Sequence, residues 1–102
     1  MQVNVEYATP FKWAGSAIYA KLISFGNLAS SGFKWIGISG AAKILFAFGR
    51  DSTGQLIPTN GLDMTAGAYY TVNVTGSYNV GILASGDRSA YSAHALVFYT
   101  KT

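Results

Sequence analysis

Hydrophobic and polar residues alternate along much of this chain. In residues 2–7 the side chains of Val3, Val5 and Tyr7 share one face, and in residues 91–100 Val97 and Tyr99 share a face with two alanines. A period of two is typical of a half-buried β-strand. Segments rich in β-branched and aromatic residues extend this pattern over the chain. The predicted strands are residues 2–7, 17–24, 33–39, 43–48, 69–75, 78–84 and 91–100.

Glycine and other turn-forming residues separate the predicted strands at short intervals, which favours strands over helices. Gly76 and Ser77 form a turn dipeptide, which predicts that residues 69–75 and 78–84 pair as a hairpin. Residues 49–67 are polar and rich in turn formers, and they form the longest predicted loop. Segment 17–24 fits either a strand or one amphipathic helix, and the sequence leaves both open.

Seven short strands without a convincing helix predict an all-β fold. Turn signals at regular short spacing are typical of an antiparallel β-sandwich, jelly-roll-like, or of a small barrel. The chain has 102 residues and shows no linker or internal repeat. We therefore predict a single β-sandwich domain over residues 1–102.

The composition shows that this domain has few charged residues to place on its surface. Charged residues make up 11% of the chain, whereas ordinary soluble domains have roughly 25%. Several predicted strands, such as residues 33–39 and 91–100, also carry apolar side chains on both faces. One apolar face per sheet is enough for a two-layer sandwich. We therefore expect the second face to be buried against other protein.

Charge and cysteine content exclude several classes of partner. The net charge of +3 comes from basic residues scattered along the chain, which disfavours a nucleic-acid partner. The chain has no cysteine, which excludes disulfides and thiolate metal sites. Lysines interrupt each long apolar run, so no membrane helix is expected. The first residues lack the basic and apolar regions of a secretory signal, which favours synthesis in the cytoplasm.

The residues that could carry out catalysis are few and scattered. Of the four acidic residues, Asp51, Asp63 and Asp87 fall in predicted loops, and only Glu6 falls in a strand. General acid and base catalysis on a sugar needs two carboxylates held across one bond. His94 has no acidic residue near it in sequence, as a Ser-His-Asp arrangement would need. We therefore expect no catalytic residue, no metal, no cofactor and no enzymatic activity.

Aromatic residues cluster with lysines in the first third of the chain. Such residues anchor protein contacts, or stack on sugar rings or single-stranded nucleic acid. We expect Trp35, inside a predicted strand, to be a core residue whose loss unfolds the chain, and Trp13, in a predicted loop, to anchor an interface. Tyrosines with outward hydroxyls would extend such a surface, at Tyr69, Tyr70, Tyr78, Tyr91 and Tyr99. The candidate interface residues are Phe11, Trp13, Phe33, Tyr69 and Tyr91.

Residues 42–100 resemble a known class of proteins in their pattern of turns and alternation. The pattern consists of AKILFAFG at 42–49, a polar loop, TAGAYYTVNV at 65–74, YNVGILASGD at 78–87 and a closing strand, AHALVFY, at 93–99. It is similar to the small β-sandwich virion proteins of tailed bacteriophages, the decoration or cement and head-associated proteins. The resemblance implies a non-enzymatic subunit located in the virion, on or between shell proteins, and often a closed oligomer.

These observations lead to one main hypothesis and two alternatives. The main hypothesis is a structural subunit of a phage particle whose partners are copies of itself and major capsid or other virion proteins, bound through apolar and neutral polar surfaces. The first alternative is a carbohydrate-binding sandwich module that uses exposed Trp13, Trp35 or loop tyrosines. The second is a single-stranded nucleic-acid binder, which the scattered basic residues make the weakest of the three.

Overall fold

The computed structural model describes residues 2–28, 32–54, 56–57, 70–75, 79–84 and 89–102, and these residues form strands, turns and short connections without a helix. Seven strands have six residues or more, and one has two residues. The strands are β1 (Glu6–Trp13), β2 (Ser16–Asn27), β3 (Gly32–Gly37), β4 (Lys43–Asp51), β5 (Leu56–Ile57), β6 (Tyr70–Thr75), β7 (Asn79–Ala84) and β8 (Ser92–Thr100). The predicted all-β fold is confirmed.

The strands form two antiparallel sheets. The larger sheet has the order β1-β2-β8-β4-β5, and the smaller has the order β3-β7-β6. Strand β8 lies at the centre of the larger sheet and pairs with β2 on one side and with β4 on the other. The predicted hairpin is confirmed by the pairing of β6 with β7, whose turn lies outside the described residues.

Inward-facing side chains of both sheets meet in one core, which makes the fold a sandwich. Ile23 and Phe25 of β2 and Val97 of β8 contribute to it from the larger sheet, and Val80 and Ile82 of β7 from the smaller. Each such side chain contributes about 1.5–3 kcal/mol when it is fully buried. The alternation predicted for the last strand is correct, because Ala93, Ala95, Val97 and Tyr99 are all buried.

Four sequence predictions differ from the structure in the bounds or type of an element. The first strand begins at Glu6 rather than at residue 2, since Asn4 has a φ of 62° that turns the chain and Val3 forms a separate parallel bridge with Leu22. The helix alternative for residues 17–24 is wrong, because this segment pairs with strands on both edges. The predicted loop 49–67 is interrupted by the end of β4 and by β5. The strand predicted at 33–39 ends at Gly37, and Ile38 follows it as a buried core residue.

Candidate functional site

The acidic side chains that the structure describes serve the fold. Glu6 accepts a hydrogen bond from the Tyr99 hydroxyl and lies 2.6 Å from Lys101 Nζ. The hydrogen bond from Lys101, followed by that from Tyr99, holds the pKa of Glu6 below its usual value. Asp51 Oδ1 accepts hydrogen bonds from the backbone N–H and the hydroxyl of Thr53, which shapes the turn after β4. Asp63 and Asp87 lie outside the described residues.

His94 lies on the outer face of the larger sheet, where the strand register determines its neighbours. Ser24 of β2 lies opposite it on one side and Arg50 of β4 on the other. Its cross-strand partners are therefore a hydroxyl and a guanidinium, whereas a Ser-His-Asp arrangement needs a carboxylate. Within the described residues, no three side chains of His, Asp or Glu come together as a metal site would require.

The β1–β2 hairpin ends in a tip that exposes two of the candidate interface residues. Phe11 is 69% exposed and Trp13 is 54% exposed. Ala14 and Gly15 connect the strands with φ angles of 48° and 85°. Two successive positive φ angles define a type I′ turn, which matches the twist of an antiparallel pair and suits glycine at the second position. Trp13 is therefore the last residue of β1, whereas the sequence predicted that it lies in a loop.

An irregularity in β1 lies just before this tip. Pro10 has no N–H to donate, and the pairing of β1 with β2 shifts between Ala8 and Lys12. Here the Thr9 hydroxyl donates to the Ile18 carbonyl at 2.7 Å, and the Phe11 N–H donates to the Thr9 oxygen at 3.3 Å. The Thr9 side chain thus bridges the gap in the ladder and keeps the exposed tip attached to the sheet.

The outer face of the larger sheet carries the largest group of outward apolar side chains that the structure describes. Register places Leu22, Leu96 and Phe48 in one row across β2, β8 and β4, and Phe98 beside Phe46 in the next. Phe46 is 48% exposed, and its ring centroid lies 6.0 Å from that of Phe48. We call this surface the apolar outer face; its members are Leu22, Phe46, Phe48, Leu56, Leu96 and Phe98.

A depression of about 260 Å³ opens on the apolar outer face. Its walls are Leu22, Phe48 and Leu96, with Arg50 and His94 at one end. The register explains this arrangement, because Arg50 and His94 form the row next to Leu96 and Phe48. The surface is therefore apolar in the middle and basic or polar along one side.

Two aromatic rings lie on the outer face of the smaller sheet. Trp35 is 42% exposed and Phe33 is 40% exposed, and their rings stack with centroids 4.7 Å apart and an angle of 21° between planes. Gly81 of β7 lies opposite Trp35, and three adjacent indole ring carbons lie 2.5–2.7 Å from where a Cβ on Gly81 would be. The indole therefore lies face down on the glycine backbone. We call Phe33 and Trp35 the aromatic platform.

The structure corrects two sequence predictions about aromatic residues, those for Trp35 and Tyr99, and it also locates Tyr91. Trp35 is not a core residue, since Gly81 across the sheet gives its ring room to lie on the outer surface. Tyr99 does not present its hydroxyl outward, because its side chain is buried in the core and donates to Glu6. Tyr91 is half-buried, and its carbonyl accepts a hydrogen bond from the Leu28 N–H.

The candidate interface residues that the structure describes do not form one surface. Phe11 and Trp13 are brought together at the hairpin tip, whereas Phe33 lies in the other sheet beside Trp35. Tyr69 and Tyr78 lie outside the described residues, and the side chain of Tyr70 is likewise not described. The apolar outer face was not found as a site by sequence reasoning, although apolar residues on both faces of the predicted strands indicated that such a surface exists.

No family model, curated protein or solved structure matches this chain. The described part of the chain contains no helix, and so none long and apolar enough to span a membrane.

Proposed function

We propose that this chain is a non-enzymatic structural subunit of a virus particle, and that it assembles by burying its apolar outer face against other protein subunits. One observation carries the proposal. The central strand β8 presents Leu96 and Phe98 outward, and β4 adds Phe46 and Phe48 beside them, so that the sheet has apolar side chains on both of its faces.

A protein partner suits this surface better than water does. Soluble monomers rarely expose large contiguous apolar patches, and those that exist commonly mark binding sites. Aromatic side chains surrounded by polar residues are typical of the centres of protein interfaces. Arg50 and His94 supply such a polar margin on one side of the face.

The hairpin tip offers a second contact of the same kind. Phe11 and Trp13 extend from the edge strand of the larger sheet and expose more than half of their side-chain surface. A protruding aromatic pair and an apolar depression on one chain allow neighbouring copies to bind head to tail. Many weak contacts of this type add up when subunits repeat around a shell.

The virion setting is supported by the sequence rather than by the shape of the fold. The pattern of residues 42–100 resembles small virion β-sandwich proteins, and the low charge suits a surface that neighbours cover. A sandwich fold alone carries no function. The setting is tested by searching for peptides of this chain in density-gradient-purified virus particles; their presence only in the unassembled protein fraction would contradict it.

Solution mass tests the assembly step. We expect light scattering after size-exclusion chromatography to give a defined oligomer that persists in high salt, because apolar contacts are not screened. Phe46→Ser should raise the dissociation constant of this oligomer about tenfold or more without unfolding the chain. Val5→Ser is the matched control, since Val5 is an exposed apolar residue that precedes β1 and lies outside the apolar outer face.

The hairpin tip is tested in the same experiment. Trp13→Ala should weaken the oligomer and leave the melting temperature of the monomer nearly unchanged, because the side chain is exposed. A wild-type chain that stays monomeric, or an oligomer that Phe46→Ser and Trp13→Ala leave intact, would contradict self-association through these surfaces.

A further inference from the structure

The aromatic platform lies on a different sheet from the apolar outer face and has a different chemical character. We propose that it binds an uncharged glycan, with one pyranose ring stacked on the exposed aromatic surface that Trp35 and Phe33 form together. The inference does not depend on the proposed assembly function, because it uses the outer face of β3 and β7 rather than that of β4 and β8.

The orientation of Trp35 is the first argument. One face of the indole lies on Gly81 and the Phe33 ring stacks over part of the other, and each of the two side chains stays about two-fifths exposed. A flat, exposed aromatic surface suits the C–H face of a sugar ring, which is also flat and apolar. Phe33 stacks against the indole, fixes its orientation and widens the platform.

The residues beside the platform are the second argument. Gly37 follows Trp35 on the same face of β3 and has no side chain, so the edge of the indole stays open on that side. Asn79 lies opposite Gly37 and therefore on the same outer face, diagonal to Trp35. At a diagonal spacing of roughly 7–8 Å, an amide is within reach of hydroxyls on a ring stacked on the platform. Sugar hydroxyls need such donors and acceptors.

The absence of charge distinguishes a glycan from a nucleic acid. None of the outward side chains that the structure describes in this sheet is charged. The outward side chains are those of Phe33, Trp35, Asn79 and Leu83, and the outward positions 37 and 81 are glycines. Lys34 points to the opposite side, where its Nζ donates to the Asn27 carbonyl at 2.7 Å. Nucleic-acid binding takes much of its affinity from cations that neutralise phosphates, so an uncharged ligand fits this face.

Fluorescence provides a direct test, because the chain has only two tryptophans. Trp13→Phe leaves Trp35 as the single tryptophan, whose emission is then recorded during titration with cellohexaose, chitohexaose, laminarihexaose and maltoheptaose. We expect saturable binding of at least one oligosaccharide, with a Kd between about 10 μM and 1 mM.

Variants locate the binding site. Trp35→Ala should weaken binding about tenfold or more by calorimetry, whereas Trp35→Phe, which keeps a flat ring, should retain part of it. Val5→Ser, at an exposed residue outside both the aromatic platform and the assembly surfaces, is the control and should leave the Kd unchanged. Trp35 is exposed, so both substitutions should keep the circular dichroism spectrum of the folded chain, and Trp35→Ala should keep the wild-type solution mass.

Three outcomes would overturn the proposal. The first is no saturable response to any of the four oligosaccharides at about 10 mM. The second is binding that Trp35→Ala leaves intact. The third is a lowered oligomer mass for Trp35→Ala together with no sugar binding, which would assign the platform to protein contacts. A salt-sensitive response to oligothymidylate without a response to sugars would likewise assign it to nucleic acid.

Discussion

The hydroxyl of Tyr99 donates a hydrogen bond of 2.5 Å to the Glu6 carboxylate, which lies 93 positions earlier in the chain. The two residues belong to β8 and β1, which are not neighbours, because β2 lies between them. Lys101 reaches the other carboxylate oxygen at 2.6 Å and lies 4.6 Å from the centre of the Tyr19 ring. One carboxylate thus connects the edge strand of the larger sheet to the end of its central strand.

The connection at Glu6 predicts a specific dependence of stability on pH. Hydrogen bonds from Lys101 and Tyr99 lower the pKa of Glu6 in the folded chain below the ordinary value of 4.5. The stabilisation is therefore complete above about pH 4.5 and is lost as the pH falls through the lower folded value. Glu6→Gln should melt a few degrees below wild type at pH 7, and the difference should shrink towards pH 3.

Thermal melts of wild type, Glu6→Gln and Tyr99→Phe across this pH range check the prediction. Tyr99→Phe should cost about 1 kcal/mol at pH 7, since it removes one hydrogen bond and keeps the buried ring. Tyr7→Phe is the control, because the Tyr7 hydroxyl makes an exposed contact with the backbone N–H of Gln2. If the melting temperatures of Glu6→Gln and wild type differed equally at pH 3 and pH 7, ionised Glu6 would not be the source of the stabilisation.

Thr9 should hold the hairpin tip through its hydroxyl. Thr9→Val keeps the shape of the side chain and removes the donor to the Ile18 carbonyl, so it should lower the free energy of unfolding by about 1 kcal/mol. Thr9→Ser keeps the hydroxyl and should recover most of that loss. Urea unfolding measures the change, and amide hydrogen exchange should rise in the hairpin rather than in β8. Equal stability of the Val and Ser variants would show that the hydroxyl does not matter.

Ala14 occupies a backbone conformation that disfavours every residue with a Cβ except asparagine and aspartate. Its φ of 48° lies in the left-handed region. Ala14→Gly should therefore stabilise the chain by about 0.5–1 kcal/mol, despite the greater freedom of glycine in the unfolded state. Ala17→Gly, in the adjoining strand, should destabilise it by about the same amount. If the turn has this geometry, chemical denaturation should show that Ala14→Gly raises the free energy of unfolding and that Ala17→Gly lowers it.

Gly81 should be intolerant of any side chain. A Cβ at this position would lie 2.5–2.7 Å from three atoms of the Trp35 ring, so the indole must lift away from the sheet. Gly81→Ala should lower stability by about 1–3 kcal/mol, as overpacking does. In the Trp13→Phe background, the emission of Trp35 should shift to the red because the ring becomes more exposed. An unchanged spectrum and melting temperature would contradict the face-down placement.

The alternation of β8 could be predicted because the inward row Ala93, Ala95, Val97 and Tyr99 is uninterrupted by a bulge. Simple alternation does not hold throughout β4. There the pairing with β8 shifts between Ile44 and Phe46, so Ile44 points into the core and Phe46 points out, although the two stand two positions apart. A single extra residue exchanges the faces of a strand, and the sequence contains no local signal for it.

The prediction that Trp35 is a core residue was wrong for a different reason. A tryptophan inside a strand that contains several apolar residues is most often buried, and the residue that keeps Trp35 on the surface, Gly81, lies on another strand. Only the register of β3 against β7 brings the two together. The first strand was predicted at residues 2–7 and runs instead over Glu6–Trp13, where the Thr9 hydroxyl supplies a bond to the β2 backbone beside Pro10. Such contacts join residues far apart in the sequence or are made by side chains, so the periodicity of a sequence does not predict them.

The central place of β8 in the larger sheet also governs when that sheet can form during protein synthesis. Strands β2 and β4 have β8 as their common neighbour, yet residues 92–100 leave the ribosome last among the described strands. Pairs such as Tyr19 with Tyr99 join distant parts of the chain, and such pairings are slow to close. Until then the inner edges of β2 and β4 stay unpaired, so the nascent chain passes through a period in which it is open to aggregation.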